Sequence, residues 1–385
     1  MIDTEKRYAY FLCSIPTIGG VRADRLLARF GTPRAVYEAK TGDWRECVSN
    51  SVAEAMERQK KSGEWEREYE QLAEKSIRLI VREEDGFPQK LTEIPDPPYG
   101  IFCRGRLPEE TQPAVAVIGA RECSEYGRYV AEELGQYLAG AGIQVISGMA
   151  RGIDGISQQA ALSAGGRSYG VLGCGVDICY PAQNRRLYEE LLQEGGLIST
   201  YAPGIKPLPQ YFPPRNRIVS GLSDALVVIE ARQKSGTLIT VDMALEQGRD
   251  VYVVPGRITD RLSDGCNRLL TQGAGVFLSP ESFLDEFLKI WEGKRELPPA
   301  DSKRKRRVGQ SNLNKSENLE RLEEPLRQVY KLLECVPKST ENILQEAWKK
   351  GEYIDIVTLH RRLMELELMG YVRQNTPGYF GTSAN

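Results

Sequence analysis

The chain has 385 residues, 41% of them hydrophobic and 27% charged, with a formal net charge of −2. That length accommodates two or three domains of about 100–200 residues each. The near-neutral balance excludes a surface coated in positive charge, although a local basic groove stays possible, and the lack of any apolar run of about 18 residues excludes a membrane-spanning helix.

Residues 1–75 read as small helices. In "IPTIGGVRADRLLARFGTPRAVYEA" the residues Ile15, Ile18, Val21, Leu26, Leu27, Phe30 and Val36 recur at helical spacing. The pattern breaks at Gly19-Gly20 and at Gly31-Thr32-Pro33. A glycine hairpin between helices fits either a helix-hairpin-helix (SAM-like) phosphate site or a plain helix turn, and "GGV" departs from the G-V-G order of the former. The charged opening "MIDTEKRYAYFLCSIP" argues against a signal peptide, so a cytoplasmic protein is expected.

Residues 76–290 form the central domain, with 76–112 as a Pro-rich connecting lead-in. Short continuous apolar runs follow: "AVAVIG" (114–119), "GIQVIS" (142–147), "SYGVLG" (168–173), "GLIST" (196–200), "ALVVIE" (225–230) and "VYVVPG" (251–256). They alternate with helical stretches such as "EYGRYVAEELGQYLAGAG". Strands buried on both faces and separated by helices imply a doubly wound, mostly parallel sheet of Rossmann-like type, hence an α/β fold.

Residues 291–324 are polar and read as a charged linker. Its run Lys303-Arg304-Lys305-Arg306-Arg307 reads as a solvated tether, with nucleic-acid contact as the alternative. Residues 325–385 turn helical again, with Ser339 or Thr340 as an N-cap, a third helix ending at Gly370, and "YVRQNTPGYF" as a hairpin turning at Thr376-Pro377-Gly378. Three helices and a wing predict a winged-helix domain. Its third helix mixes His360, Arg361 and Arg362 with Glu365 and Glu367, which weakens a DNA-reading role.

In an open parallel sheet, ligands bind beyond the carboxyl ends of the strands. Here those ends carry "GAR" (119–121), "SGMARGID" (147–154), "GCGVD" (173–177), the segment 199–217, "ARQKSGTLIT" (231–240) and "PG" (255–256). Glycines admit a ligand to the backbone, and helix N-termini supply N–H donors and partial positive charge. Arg121, Arg151, Lys206, Arg215 and Arg217 add whole charges, so the rim is expected to bind phosphate. Asp154 and Asp177 are expected to cap helices or pair with arginines.

A dinucleotide cofactor would require G-x-G-x-x-G after the first strand and an acid after the second, and both are missing. A Walker A loop is missing too. Eight cysteines form no C-x-x-C pair, and the one histidine, His360, lies far from the glycine-rich corners. No metal and no cofactor is expected. The rival is a nucleoside-monophosphate phosphoribohydrolase, whose P-G-G-x-G-T-x-x-E loop compares with "KSGTLIT"; Gly236 and Thr237 are present, but Thr240 stands where that catalytic glutamate would be.

The ordered set "VIGAR", "SGMARGIDG", "AALSAGG", "GCGVDICYPAQNRRLY", "FPPRNRIVSGLSDALVVIEA", "SGTLIT" and "ALEQGRDVYVVPG" closely resembles the DNA-processing protein A family, also called DprA or Smf, across 113–277. The resemblance implies a non-enzymatic recombination mediator. Such a protein binds and protects incoming single-stranded DNA in natural transformation, helps load RecA recombinase, and acts as a homodimer. It implies that Arg121 is a phosphate-binding arginine and Lys206 a DNA-contacting lysine. Gly119, Ser147, Gly148, Arg151, Gly152, Asn216, Arg217, Ser235, Gly236 and Thr237 fill the other motif positions. Departures are Gln158 where histidine is common, Thr200 where glutamate is common, and "GAR" in place of G-S-R or G-T-R. Tyr180, Tyr201, Tyr211 and Phe212 are candidates for base stacking, with core packing as the alternative, more expected of Phe212 than of Tyr211.

Overall fold

The computed structural model describes residues 3–296, 324–330, 332–333, 338–349, 354–369, 371–376 and 379–382. The chain forms two compact units, 1–297 and 298–385.

Six helices open the first unit: Asp3–Cys13, Gly20–Phe30, Pro33–Glu38, Thr41–Trp44, Asn50–Ser62 and Glu64–Glu74. Local chemistry sets their breaks. Gly31 takes φ +84 after the second helix, and Thr32 caps the third by accepting from Ala35 N–H, with Pro33 in its first turn. Gly20 explains the glycine hairpin differently from a phosphate site, because a Cβ there would lie 1.9 Å from the Pro97 carbonyl oxygen. The glycine therefore lets a helix start flush against the Pro97-Pro98 backbone. Trp44, Trp65, Tyr10 and Phe11 are buried among these helices and share one core with Leu79, Phe102, Val176 and Leu197 of the sheet region.

The sheet has nine strands in the order β1-β2-β6-β5-β4-β3-β7-β8-β9. They are β1 (Ile77–Val81), β2 (Gly100–Gly105), β3 (Ala114–Ile118), β4 (Gln144–Ser147), β5 (Ser168–Val171), β6 (Gly196–Ser199), β7 (Ala225–Val228), β8 (Asp250–Val253) and β9 (Gly275–Val276). Strands β3 to β9 run parallel, as expected for apolar runs alternating with helices. The lead-in is not a bare connection: β1 and β2 pair antiparallel and extend the sheet beyond β6. The helix Pro280–Glu296 also continues through the first residues assigned to the linker.

In the second unit, helices Glu324–Tyr330, Thr340–Lys349 and Ile356–Leu368 accompany a three-stranded antiparallel sheet, β10 (Lys338–Ser339), β12 (Tyr379–Thr382) and β11 (Val372–Thr376). Leu359, Leu363 and Leu366 pack with Ile343, Val372 and Phe380. Asp355 caps the third helix through Val357 and Thr358 N–H. The basic run 303–307 and the Pro377-Gly378 turn lie outside the described residues.

Candidate nucleic-acid interface

Strand order reverses at β3. From it the chain winds outward through β4, β5 and β6, then crosses to β7 on β3's other side. Such a reversal opens a crevice at the carboxyl ends of the two strands. The crevice here is a cavity of about 620 Å³. Its walls come from Ile118–Glu122 after β3, Gly148, Ala150 and Asp154 after β4, and Arg232–Thr237 after β7. The helix Phe212–Gly221 and Tyr180 close the remaining side.

Glycine permits the close approach of the loops. A Cβ on Gly119 would lie 2.6 Å from Ile153, and one on Gly152, at φ +72, would lie 2.2 Å from the Ala120 carbonyl oxygen. The second loop is locked from behind. Met149 holds a left-handed backbone (φ +52), with its N–H on Gln158 Oε1 (3.1 Å) and its carbonyl accepting from Asn184 Nδ2 (3.0 Å). Gln158 also donates to Ser168 Oγ and the Tyr169 carbonyl. The Gln158 amide is thus a buried tie between loop and sheet. Buried Glu230, after β7, accepts from Ser124 N–H (3.0 Å) and the Ser124 hydroxyl, fixing the end of the first loop.

Two buried charged residues, Asp154 and Arg215, line the cavity. Asp154 accepts from Gly148 N–H at 3.1 Å. Burial raises its carboxyl above the usual range, opposed by the nearby Arg215 charge and by the backbone N–H groups of Gly148 and Gly119. Arg215 is 5% exposed, and its Nη1 donates to the carbonyls of Gly148 (2.6 Å) and Val171. Burial lowers its pKa, with Asp154 opposing and Arg121 reinforcing the shift. Ser235 caps the helix Gly236–Glu246 through Thr237 N–H, and the Thr237 hydroxyl donates to the Gly119 carbonyl (3.3 Å).

Of the residues singled out in the sequence, the cavity gathers Gly119, Arg121, Gly148, Arg215, Asn216, Ser235, Gly236, Thr237 and Tyr180. Others lie elsewhere. The Ser147 hydroxyl is buried and donates to the Val117 carbonyl (2.6 Å). Gly152 lines a separate groove beside Gly155 and Asn184. Arg151 and Lys206 are exposed outside the cavity lining. Arg217 points away, donating to the carbonyls of Pro95 (3.3 Å) and Asp96 and so pinning the lead-in to its helix.

The aromatic expectation is partly reversed. Tyr201 is buried and packs on Tyr211 with ring centroids 4.4 Å apart, and neither lines the cavity. Phe212 does line it, 5.6 Å from Tyr180, with the Arg121 and Arg215 guanidinium groups 5.9 and 5.7 Å from its ring centre. The sequence reading also passed over Arg232 and Lys234, which line the cavity ahead of the Ser235 cap. Their signal was present: both lie in "ARQKSGTLIT", a strand-end loop leading into a helix.

Residues 78–288 match the family model described as DNA recombination-mediator protein A. The chain belongs to that family. It is 42% identical to DNA processing protein DprA of Streptococcus pneumoniae over 204 residues, 53% of this chain and 72% of that protein. It is 34% identical to Protein Smf of Synechocystis over 326 residues, 80% of this chain and 81% of that protein. The X-ray structure of the pneumococcal protein superposes with a TM-score of 0.63 at 32% identity, covering 74% of this chain and 97% of that one. A Helicobacter pylori DprA structure, described for its single-stranded DNA binding mode, has a TM-score of 0.50 at 29% identity over 56% of this chain and 96% of that one.

Proposed function

We propose that this recombination mediator grips single-stranded DNA at the switch-point cavity, and that the cavity binds without cleaving. One observation carries the reading: Arg121, Arg215, Arg232 and Lys234 converge on a cavity that also holds the Tyr180–Phe212 ring pair. Cations and a helix N-terminus at the cavity wall suit phosphates, and the rings suit unpaired bases. Arg151 and Lys206, exposed outside the cavity lining, serve in this reading as further contacts to the strand. Against a hydrolase stands the cavity's acid content. Glu122 and Asp154 are its carboxylates, Asp154 is engaged by backbone N–H, and Thr240 offers no acid at the position the hydrolases use.

The family supports the rest of the reading: a cytoplasmic homodimer that protects the strand and helps load RecA recombinase, with the 325–385 unit a winged helix and the first helices a SAM-like unit. Gel shifts at low salt with an unstructured oligonucleotide test the central claim. Arg121→Glu is expected to weaken binding at least tenfold, with Lys206→Glu weakening it less. Unchanged affinity in Arg121→Glu refutes the cavity as the DNA site.

A further inference from the structure

The cavity is a half-open cleft rather than a flat track. Its roughly 620 Å³ falls within the range of about 300–1,000 Å³ typical of small-ligand pockets. Its charge is also lopsided. Arg121, Arg232 and Lys234 have no ion-pair partner among the described residues, while the lining acids are exposed Glu122 and buried Asp154. A backbone phosphodiester carries one negative charge, whereas a terminal phosphate monoester carries about −1.5 to −2 at neutral pH. The excess of cations favours the monoester.

A second observation points the same way. Arg215 is nineteen-twentieths buried, borders the cavity, and makes its backbone hydrogen bonds from Nη1 alone. The N-terminus of the eleven-residue helix Gly236–Glu246, capped by Ser235 at Thr237 N–H, lines the same cavity, and nothing lies within 4 Å of a Gly236 Cβ. The Phe212 ring lies within 6 Å of both the Arg121 and Arg215 guanidinium groups and stacks obliquely with Tyr180. A phosphate on the arginines therefore has an aromatic surface within reach of its own base.

We infer that the cavity binds a free nucleoside 5′-monophosphate, base and phosphate together, in competition with the DNA strand. This rests on the nucleic-acid reading of the cavity. It adds that one detached nucleotide, with its extra terminal charge, fills the site, so that products of strand breakdown displace the mediator from DNA.

The test displaces a 3′-fluorescein oligothymidylate with a 5′-hydroxyl end from the full chain, using dTMP, thymidine and inorganic phosphate in parallel. Direct titration of dTMP without DNA, followed by calorimetry, accompanies it. The expected result is displacement by dTMP at concentrations at least tenfold below those of thymidine or phosphate. Lys234→Glu and Phe212→Leu are each expected to weaken dTMP at least fivefold while thermal melts confirm folding. If the oligonucleotide binds but dTMP acts no better than phosphate, the inference fails and the DNA reading stands. If dTMP binds while the oligonucleotide does not, the DNA reading fails and a mononucleotide site remains.

Discussion

Arg215 and Arg121 flank the same Phe212 ring, yet burial gives them different work. Arg215 is held against two carbonyls and stands close to the buried Asp154 carboxylate. Truncating it leaves the buried Gly148 and Val171 carbonyls without this donor, a loss on the order of 2 kcal/mol. Arg121 is exposed, and its truncation is expected to cost less than about 0.5 kcal/mol. Urea melts of Arg215→Ala and Arg121→Ala check this; equal midpoints would show that Arg215 carries no structural load. The difference was legible in part. Arg215, Ile218, Val219 and Leu222 fall at i, i+3, i+4 and i+7, so the arginine occupies the buried stripe of its helix. Arg217 falls off that stripe, but its tie to Pro95 and Asp96 spans more than a hundred residues, which no local pattern encodes. The same holds for Tyr201, whose burial depends on the loop carrying Tyr211 folding back over it.

Elements were legible where periodicity and punctuation agreed. The six apolar runs became β3 to β8 because each is short, continuous and bounded by a turn. β1 and β2 escaped because the Pro-rich stretch between them reads as a connection, while their pairing is decided by the open edge of β6. The Gly19-Gly20 hairpin shows the same split between local signal and distant cause. Gly19 has open space around a Cβ and an extended backbone at φ −89, so Gly19→Ala is expected to change stability by less than about 0.5 kcal/mol. Gly20→Ala drives a methyl into the Pro97 carbonyl and must push the helix Gly20–Phe30 off the lead-in, at about 1–3 kcal/mol. Thermal melts separate the two. A loss of DNA affinity in Gly19→Ala without a loss of stability would instead restore the hairpin as a phosphate site.

At the scale of the molecule, every residue lining the cavity belongs to the unit 1–297, whose cores contain no residue of the second unit. The DNA grip should therefore survive removal of everything after Glu296. On a single strand, log affinity falls with log salt at a slope of about −0.7 per phosphate neutralised. The cavity cations Arg121, Arg232 and Lys234 with exposed Arg151 and Lys206 make about three to five such contacts, hence a slope of about −2 to −3.5. A chain ending at Glu296 is expected to match the full chain in slope, and in affinity to within about threefold. Both should prefer single strands to duplex, because a cleft lined by rings accepts an unstacked base that a duplex does not release without an unpairing cost. A full-chain slope steeper by 2 or more would instead assign part of the grip to residues beyond Glu296. The run Lys303–Arg307 would then be the first group to neutralise, since its five cations are the densest in the sequence.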